Sequence, residues 1–511
     1  MFFRLFFTLL ITLPLSAEIS PRQVAIVYNS NLPASFELAE FYALSRGIPA
    51  SNLIGLNVTE KATIDRATYE KSIRQPLVKK FTENNWWKLG KDANGLTLPV
   101  ARNIRCLVMM KGLPLRISRS PIPAGETKET RQLNEASEAA IDSELSLMGV
   151  SKYPIGGLIP NPYFQKDDSV QKTPEKFFIL VGRIDAINYD QCKRMILDAL
   201  DVEKEGLWGS TYLDFSLKKG GFANGEKWIE NIAKKSRATG NLIITDRNSN
   251  TFVTNYPMRE CAVYFGWYTF HRNGPFLNDQ MSFKKGAIAC HIHSLSGAQL
   301  LNPKQNWSAA LIDRGAAATI GNTFEPYLQA THHLDTFYDR LLKGYTLVEA
   351  SYMSINAFSW QNFVIGDPLY RPYLKKNIDP KDFKTDRDYK ILRYAQSQFP
   401  DETRTSELIK AAERTKSGIV YEALALQSLE DKKYEEALKL ITKAKALYKD
   451  PADKLRQDLH LVEFARRQGK TAAAISILRK IKPTYQNIPE SKAIDGLLVI
   501  LDPPAPPATK K

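Results

Sequence analysis

The chain has 511 residues, 43% of them hydrophobic and 24% charged, with a formal net charge of +15. At ~100–200 residues per domain, that length predicts about three folded units. Four cysteines in so long a chain exclude a disulfide scaffold, and without a CxxC spacing a structural zinc site has no support.

Residues 1–17, "MFFRLFFTLLITLPLSA", carry one positive charge at Arg4, a short apolar run and a small residue at the end. That is the layout of a secretory signal peptide, cleaved after Ala17, and the run is short for a membrane span. The chain is therefore expected to be exported, to the periplasm or the extracellular space. No later stretch is long and apolar enough to cross a bilayer, so no integral membrane segment is expected after cleavage. The lysines and arginines are dispersed and no nucleic-acid module is present. The expected partner for the positive charge is an anionic envelope polymer rather than nucleic acid.

Residues 24–28, "VAIVY", form an apolar run followed by a helical pattern in which Phe36, Leu38, Ala39, Phe41, Tyr42 and Leu44 recur, stopped by "RGIP". A second run at 53–58 completes a strand, helix, strand crossover of the parallel kind. Continuous apolar runs recur at 105–112, 176–184, 240–246, 261–268, 286–294 and 316–322, the pattern of strands covered on both faces. Helical stretches at 189–205 and 334–342 separate several of them. Cys106, Cys261 and Cys290 lie inside such runs and read as buried thiols.

These features predict an α/β fold with a largely parallel sheet in two lobes, 18–175 and 176–375. A linker at 376–400 follows, then helical repeats at 401–490 and a Pro-rich tail at 491–511. Within the repeats, placing Ala437 over Ala474 superposes the turns "DKKY" and "QGKT" at an offset close to the ~34-residue tetratricopeptide period. Two repeats fall short of a stable array, so they should pack on the body or on an upstream helix. They would offer a docking groove for a protein partner.

Ligands of open parallel sheets sit at the carboxyl ends of strands. The residues after three successive runs are therefore candidates: Trp267, Tyr268 and His271; then His293, Ser294 and Ser296; then Asn322, Thr323 and Glu325. Five of the six histidines lie between His271 and His333. Asp142, Glu144 and Asp367 read more simply as a helix-dipole pair and a turn cap.

Taken in order, "CAVYFGWYTFHRNGPF", "GAIACHIHSLSGAQL", "LIDRGAAATIGNTFEPY", "FYDRLLKGYTLVEASYMS" and "NFVIGDPLYRPY" resemble the caspase-like fold in its gingipain-type and CHAT-type versions. Upstream, "FILVGRIDAINYDQCKRMILDAL" is similar to the start of a gingipain catalytic subdomain. The ordering also resembles a family of predicted exported bacterial proteins. The resemblance implies a strand ending in "YxGHG" with a catalytic histidine, and a next strand ending in "CxxG" with the nucleophile. Here Trp267 falls on the histidine position and Ser294 on the thiolate position. An indole has no basic nitrogen, and an unassisted serine is a poor nucleophile at neutral pH. The chain is expected to be a pseudoenzyme that binds peptide or envelope polymer and requires no cofactor or metal.

Two alternatives remain open. One is a hydrolase, a peptidase or esterase, using Ser294 or Cys290 as nucleophile with His271 as base. The other is a metal-dependent envelope enzyme using His291 and His293, which strand alternation places on one face.

Overall fold

The computed structural model describes residues 19–123, 126, 137–248, 251–375, 378–379, 381 and 383–503. The expected signal peptide and the last residues of the tail lie outside them.

The body is built on strands β1 Val24–Asn29, β2 Leu53–Leu56, β3 Cys106–Met110, β4 Leu180–Ile184, β5 Ser210–Asp214, β6 Ile243–Asp246, β7 Cys261–Trp267, β8 Ile288–Ile292, β9 Thr319–Asn322 and β10 Asn362–Ile365. Two sheets form, in the orders β9-β10-β4-β3-β1-β2 and β6-β5-β7-β8. Every pairing within them is parallel except β9 with β10. A parallel bridge from Ile288 to Ala318 joins β8 to the start of β9, so the sheets run into one another. Strand polarity reverses between β9 and β10, and the carboxyl ends of β5 to β9 face the opposite edge from those of β1 to β4.

The apolar runs became strands because both sheet faces are covered. Val24, Ile26 and Cys106 on one face of the first sheet and Ala25, Val27 and Leu107 on the other are each 0% exposed, as are Tyr264 and Ala289 in the second. All four cysteines are buried free thiols. Helix α1 Pro33–Arg46 buries Leu38, Ala39 and Tyr42 and stops at Gly47, whose φ of 67° is left-handed. Helices α2 Tyr189–Glu205, α3 Ala223–Ala238, α4 Ser308–Asp313, α5 Leu334–Lys343 and α6 Leu347–Met353 complete the α/β body. The mixed fold with its parallel-rich sheet and all-helical carboxyl-terminal region is the one the sequence predicts.

Three helical hairpins follow: α7 Arg387–Gln398 with α8 Asp401–Thr415, α9 Gly418–Glu430 with α10 Tyr434–Leu447, and α11 Pro451–Arg467 with α12 Thr471–Ile481. Ala437 and Ala474 are both fully buried, as their equivalence in the repeat requires. The array starts inside the stretch read as a linker, and Lys492–Leu501, placed with the tail, is a further helix, α13. Its apolar "AIDGLLVIL" buries Ala493 and Ile494 beside Leu455, Leu459 and Leu478, so only the prolines after it break the helix. The array packs on the body through Val253, which joins that apolar cluster. Polar ties are Arg259 to Asp450 at 2.7 Å and Asn278 Nδ2 donating to Glu490 Oε1 at 3.0 Å.

Buried ion pairs lock the first half-sheet. Arg183 on β4 is 0% exposed and donates to both oxygens of Asp142, at 2.7 and 3.1 Å. Asp142 and Glu144 are thus not surface dipole partners: Asp142 is 1% exposed and Glu144 0%, and Glu144 accepts from Arg66, Tyr153 and Ser359. Asp367 caps Leu369 N at 2.9 Å, as its "GDP" turn suggests, and also accepts from Tyr42 and Arg46. Arg46 bridges on to Glu203 of α2. Removing one partner of such a pair strands the other charge in the interior. Arg183→Met should therefore lower the unfolding free energy by about 3–5 kcal/mol, measured by urea denaturation, whereas an exposed control such as Lys79→Met should change it by less than about 0.5 kcal/mol.

Candidate functional site

The second half-sheet ends in a crevice. After β8 the chain turns through His293, Ser294, Leu295, Ser296 and Gly297, with Leu295 at a φ of 61°. The end of β9 pins this turn: Gly297 N donates to Asn322 O at 3.0 Å, Asn322 N to Ser296 Oγ at 3.1 Å, and Leu295 N to Phe324 O at 3.1 Å. Gly297 and Gly321 leave room for Phe363, since a Cβ on either would lie 2.2 or 2.8 Å from its ring. Ser296, Asn322 and Thr323 are at most 2% exposed. They hold the turn and are not among the residues lining the cleft beside it: Asn322 Oδ1 accepts from Thr331 and Asn362, and Thr323 N donates to Gln361 O.

Ser294 does face a cleft, of about 360 Å³, walled by Phe222, Tyr268, Ile292, Pro326, Tyr327 and Leu328 with Glu325 at its rim. Its hydroxyl donates to Glu325 Oε2, while Oε1 of the same carboxylate takes Tyr327 N at 2.8 Å. No imidazole hydrogen-bonds this hydroxyl among the described residues. His293 meets the Ser294 carbonyl through Nδ1 and packs between Tyr268 and Phe270. Burial pushes its pKa down, partly offset by the Ser294 carbonyl and Glu325. His271 is exposed and accepts from Asn306 N at 3.2 Å, so the sequence-proposed Ser294–His271 dyad is not assembled. Leu328 and Gln329 also border a second cavity of about 470 Å³, lined further by Asn224, Trp228, Asn231 and His333.

Trp267 is 1% exposed. Its indole N–H donates to Glu226 Oε1 at 3.0 Å, and Gly225 gives α3 room to lie on the ring. Cys290 sits in mid-strand opposite Phe265, 0% exposed, and burial raises its thiol pKa well above the ordinary range. A neutral, sealed thiol is not placed as a nucleophile, which corrects that alternative.

The metal alternative fails on donors. His291 is buried, stacked 3.6 Å from Trp307, and both its nitrogens are engaged. Thr269 N donates to Nε2 at 3.3 Å, so Nδ1 carries the hydrogen and donates to Tyr264 Oη at 2.9 Å. Tyr264 passes the chain on to Asp214 Oδ2 at 3.1 Å. Gly266 makes that reach feasible, because a Cβ there would stand 2.3 Å from the Tyr264 hydroxyl. Burial, with His293 nearby, holds His291 neutral. No group of three or more His, Cys, Asp or Glu side chains placed to hold a metal occurs among the described residues.

Asp214, Tyr264 and Glu226 were not among the sequence candidates, although the strand-end rule covers "LD" of β5 and "TD" of β6. Asp214 and Asp246 are register partners on adjacent strands, 1% and 8% exposed. Asp214 Oδ1 and Asp246 Oδ2 have no partner among the described residues. Burial, and then the negative charge of Glu463, pushes Asp246 up to about 7. Burial, and then the charge of Asp246, also raises Asp214 well above the ordinary carboxyl range.

No protein-family model and no curated protein matches the sequence. One solved structure, described as "Structure of Protease", is similar at 11% identity and a TM-score of 0.37, over 69% of this chain and 78% of that one. So loose a likeness assigns neither a fold family nor an activity.

The acid pair sets a pH dependence. An unfolded aspartate titrates near ~3.9, so between about pH 4 and 7 the folded chain holds a proton that the unfolded chain has lost. Through Asp246 stability should fall as pH rises across that window, and the raised Asp214 adds a fall of the same sign. Urea midpoints at pH 4.5, 6 and 8 should show this fall, and Asp246→Asn should flatten it. An unchanged slope in the variant would contradict the assignment.

Proposed function

We propose that this chain is an exported binding protein on a caspase-like frame, whose crevice at the ends of β7, β8 and β9 holds an extended segment of peptide or envelope polymer without cutting it. The carrying observation is the fate of the Ser294 hydroxyl, which is bonded to the Glu325 carboxylate rather than to an imidazole. Carboxylates are too weakly basic to ionise an alkanol at neutral pH. Trp267, on the position where the resembled enzymes carry histidine, is sealed in the interior and tied to Glu226. The walls of the cleft are mainly apolar with a few placed polar groups, as ligand sites are. A second cavity on the far side of Leu328 and Gln329 suits a ligand longer than one residue. The helical hairpins supply a separate surface for a protein partner.

No helix among the described residues is long and apolar enough to cross a membrane. Export rests on the signal-like first 17 residues, and the mature chain should begin at Glu18 by amino-terminal sequencing from its native host. A fluorophosphonate should leave Ser294 unlabelled under conditions that saturate an active serine hydrolase. Tyr268→Ala with Leu328→Ala should weaken capture of an extended peptide library or of purified envelope polymer at least ~5-fold. Stoichiometric labelling that disappears in Ser294→Ala would replace this reading with the hydrolase.

A further inference from the structure

Outside the crevice, at the amino-terminal ends of β3 and β4, two guanidinium groups pack into the body without an ion-pair partner among the described residues. Arg102 ends the hairpin strand Thr97–Arg102 and is 6% exposed. One of its nitrogens donates to Lys176 O at 3.1 Å, and its plane lies 4.7 Å from the Phe178 ring. Its Nε and Nη2 are closed off from solvent without a partner, and so are Nε and Nη1 of Arg105. The Arg105 backbone is fixed between β1 and β4, donating to Gln23 O and accepting from Leu180 N, so the side chain cannot withdraw by a main-chain shift. Lys176, whose ammonium donates to Thr173 O, adds a third positive charge.

The three cations repel one another. Burial and then Arg105 depress Arg102, while burial, Arg105 and Arg102 depress Lys176. Glu175 is next to Lys176 in sequence, yet its Oε2 is also unpartnered, and none of the three cations forms an ion pair among the described residues. Buried donors are ordinarily satisfied, and a buried charge ordinarily has a counter-charge. The neighbouring rings of Tyr163 and Phe178 would accept an apolar side chain at position 102, so packing does not call for a guanidinium. Two guanidiniums and an ammonium near enough to act on one another are the donor types that recognise an oxyanion. Arg105 and Lys176 are both partly exposed and Arg102 is buried, so an anion would approach from the side of the first two.

We propose that Arg102, Arg105 and Lys176 form a binding site for a phosphate group, supplied as the free ion or carried on an anionic polymer. This does not depend on the reading of the crevice. The test is thermal unfolding of the full chain in inorganic phosphate, in polyphosphate and in chloride at matched ionic strength, with equilibrium dialysis of labelled phosphate. Phosphate should raise the transition by at least ~2 °C over chloride and bind at about one equivalent per chain, as ligands of the folded state do. Arg105→Gln removes a partly exposed side chain without a hydrogen bond of its own, should fold normally, and should abolish both effects. Arg102→Met should do the same and, lacking the stranded charge, should be at least as stable as the parent in chloride. A shift at lower phosphate equivalents with polyphosphate than with the free ion assigns the polymer as source, and equal shifts assign the ion. Equal transitions in phosphate and chloride, or a shift that persists in Arg105→Gln, would overturn the site.

Discussion

Strand β9 is where two sheets of opposite polarity become one, and the crevice depends on it. Ala317 and Ala318, just before it, take the backbone at the start of β8 in parallel, and its own four residues pair antiparallel with β10. That double role needs small side chains, because β9 is sandwiched where α4, β8 and β10 converge. Ala316, Ala317 and Ala318 lead into it, and Gly321 lies against Ser308 and Phe363. The end of the same strand then fixes the Ser294 turn through Asn322. A larger residue at 318 or 321 would disturb the sheet junction and the crevice floor together.

The polar interior falls into two kinds. Arg183 with Asp142, and Arg46 with Asp367 and Glu203, are closed pairs that fix the orientation of β4, α1 and the "GDP" turn. In the helical array, Glu422 is equally enclosed; burial would raise it, but Arg456 and His460 hold its carboxyl below the usual range. Asp214 with Asp246, and Arg102 with Arg105, are like-charged and open. Like charges placed side by side cost free energy that packing does not require, and that contrast singles them out. The first couples the sheet to proton concentration, and the second calls for an anion.

The fold was legible because apolar runs of strand length, punctuated by Gly, Pro and capping residues, map directly onto parallel strands covered on both faces. The array was legible in part, since Ala437 and Ala474 mark the helix crossings. Its first hairpin hid in a charged stretch where "RDYKILRYAQSQ" shows its apolar face only through Tyr389, Ile391, Leu392 and Ala395. The strand-end rule found the crevice but not which residues line it. Ser294 and Glu325 do, whereas Ser296, Asn322 and Thr323 turn inward to pin the chain, a distinction set by tertiary hydrogen bonds. The engagement of His291 with Tyr264 and Thr269 depends on a register across two strands and the missing side chain of Gly266, and no local pattern shows it.

The proposed binding role requires the Ser294 hydroxyl to belong to the cleft and not to a catalytic dyad. The most direct measurement is the position of its Oγ in crystals of the mature chain grown near pH 7, free and with a bound peptide or polymer fragment. The Glu325 carboxylate should lie within ~3 Å of it, with no imidazole nitrogen in hydrogen-bond reach in either state. A nitrogen of His271 or His293 brought within ~3.2 Å of Oγ when the ligand binds would contradict it.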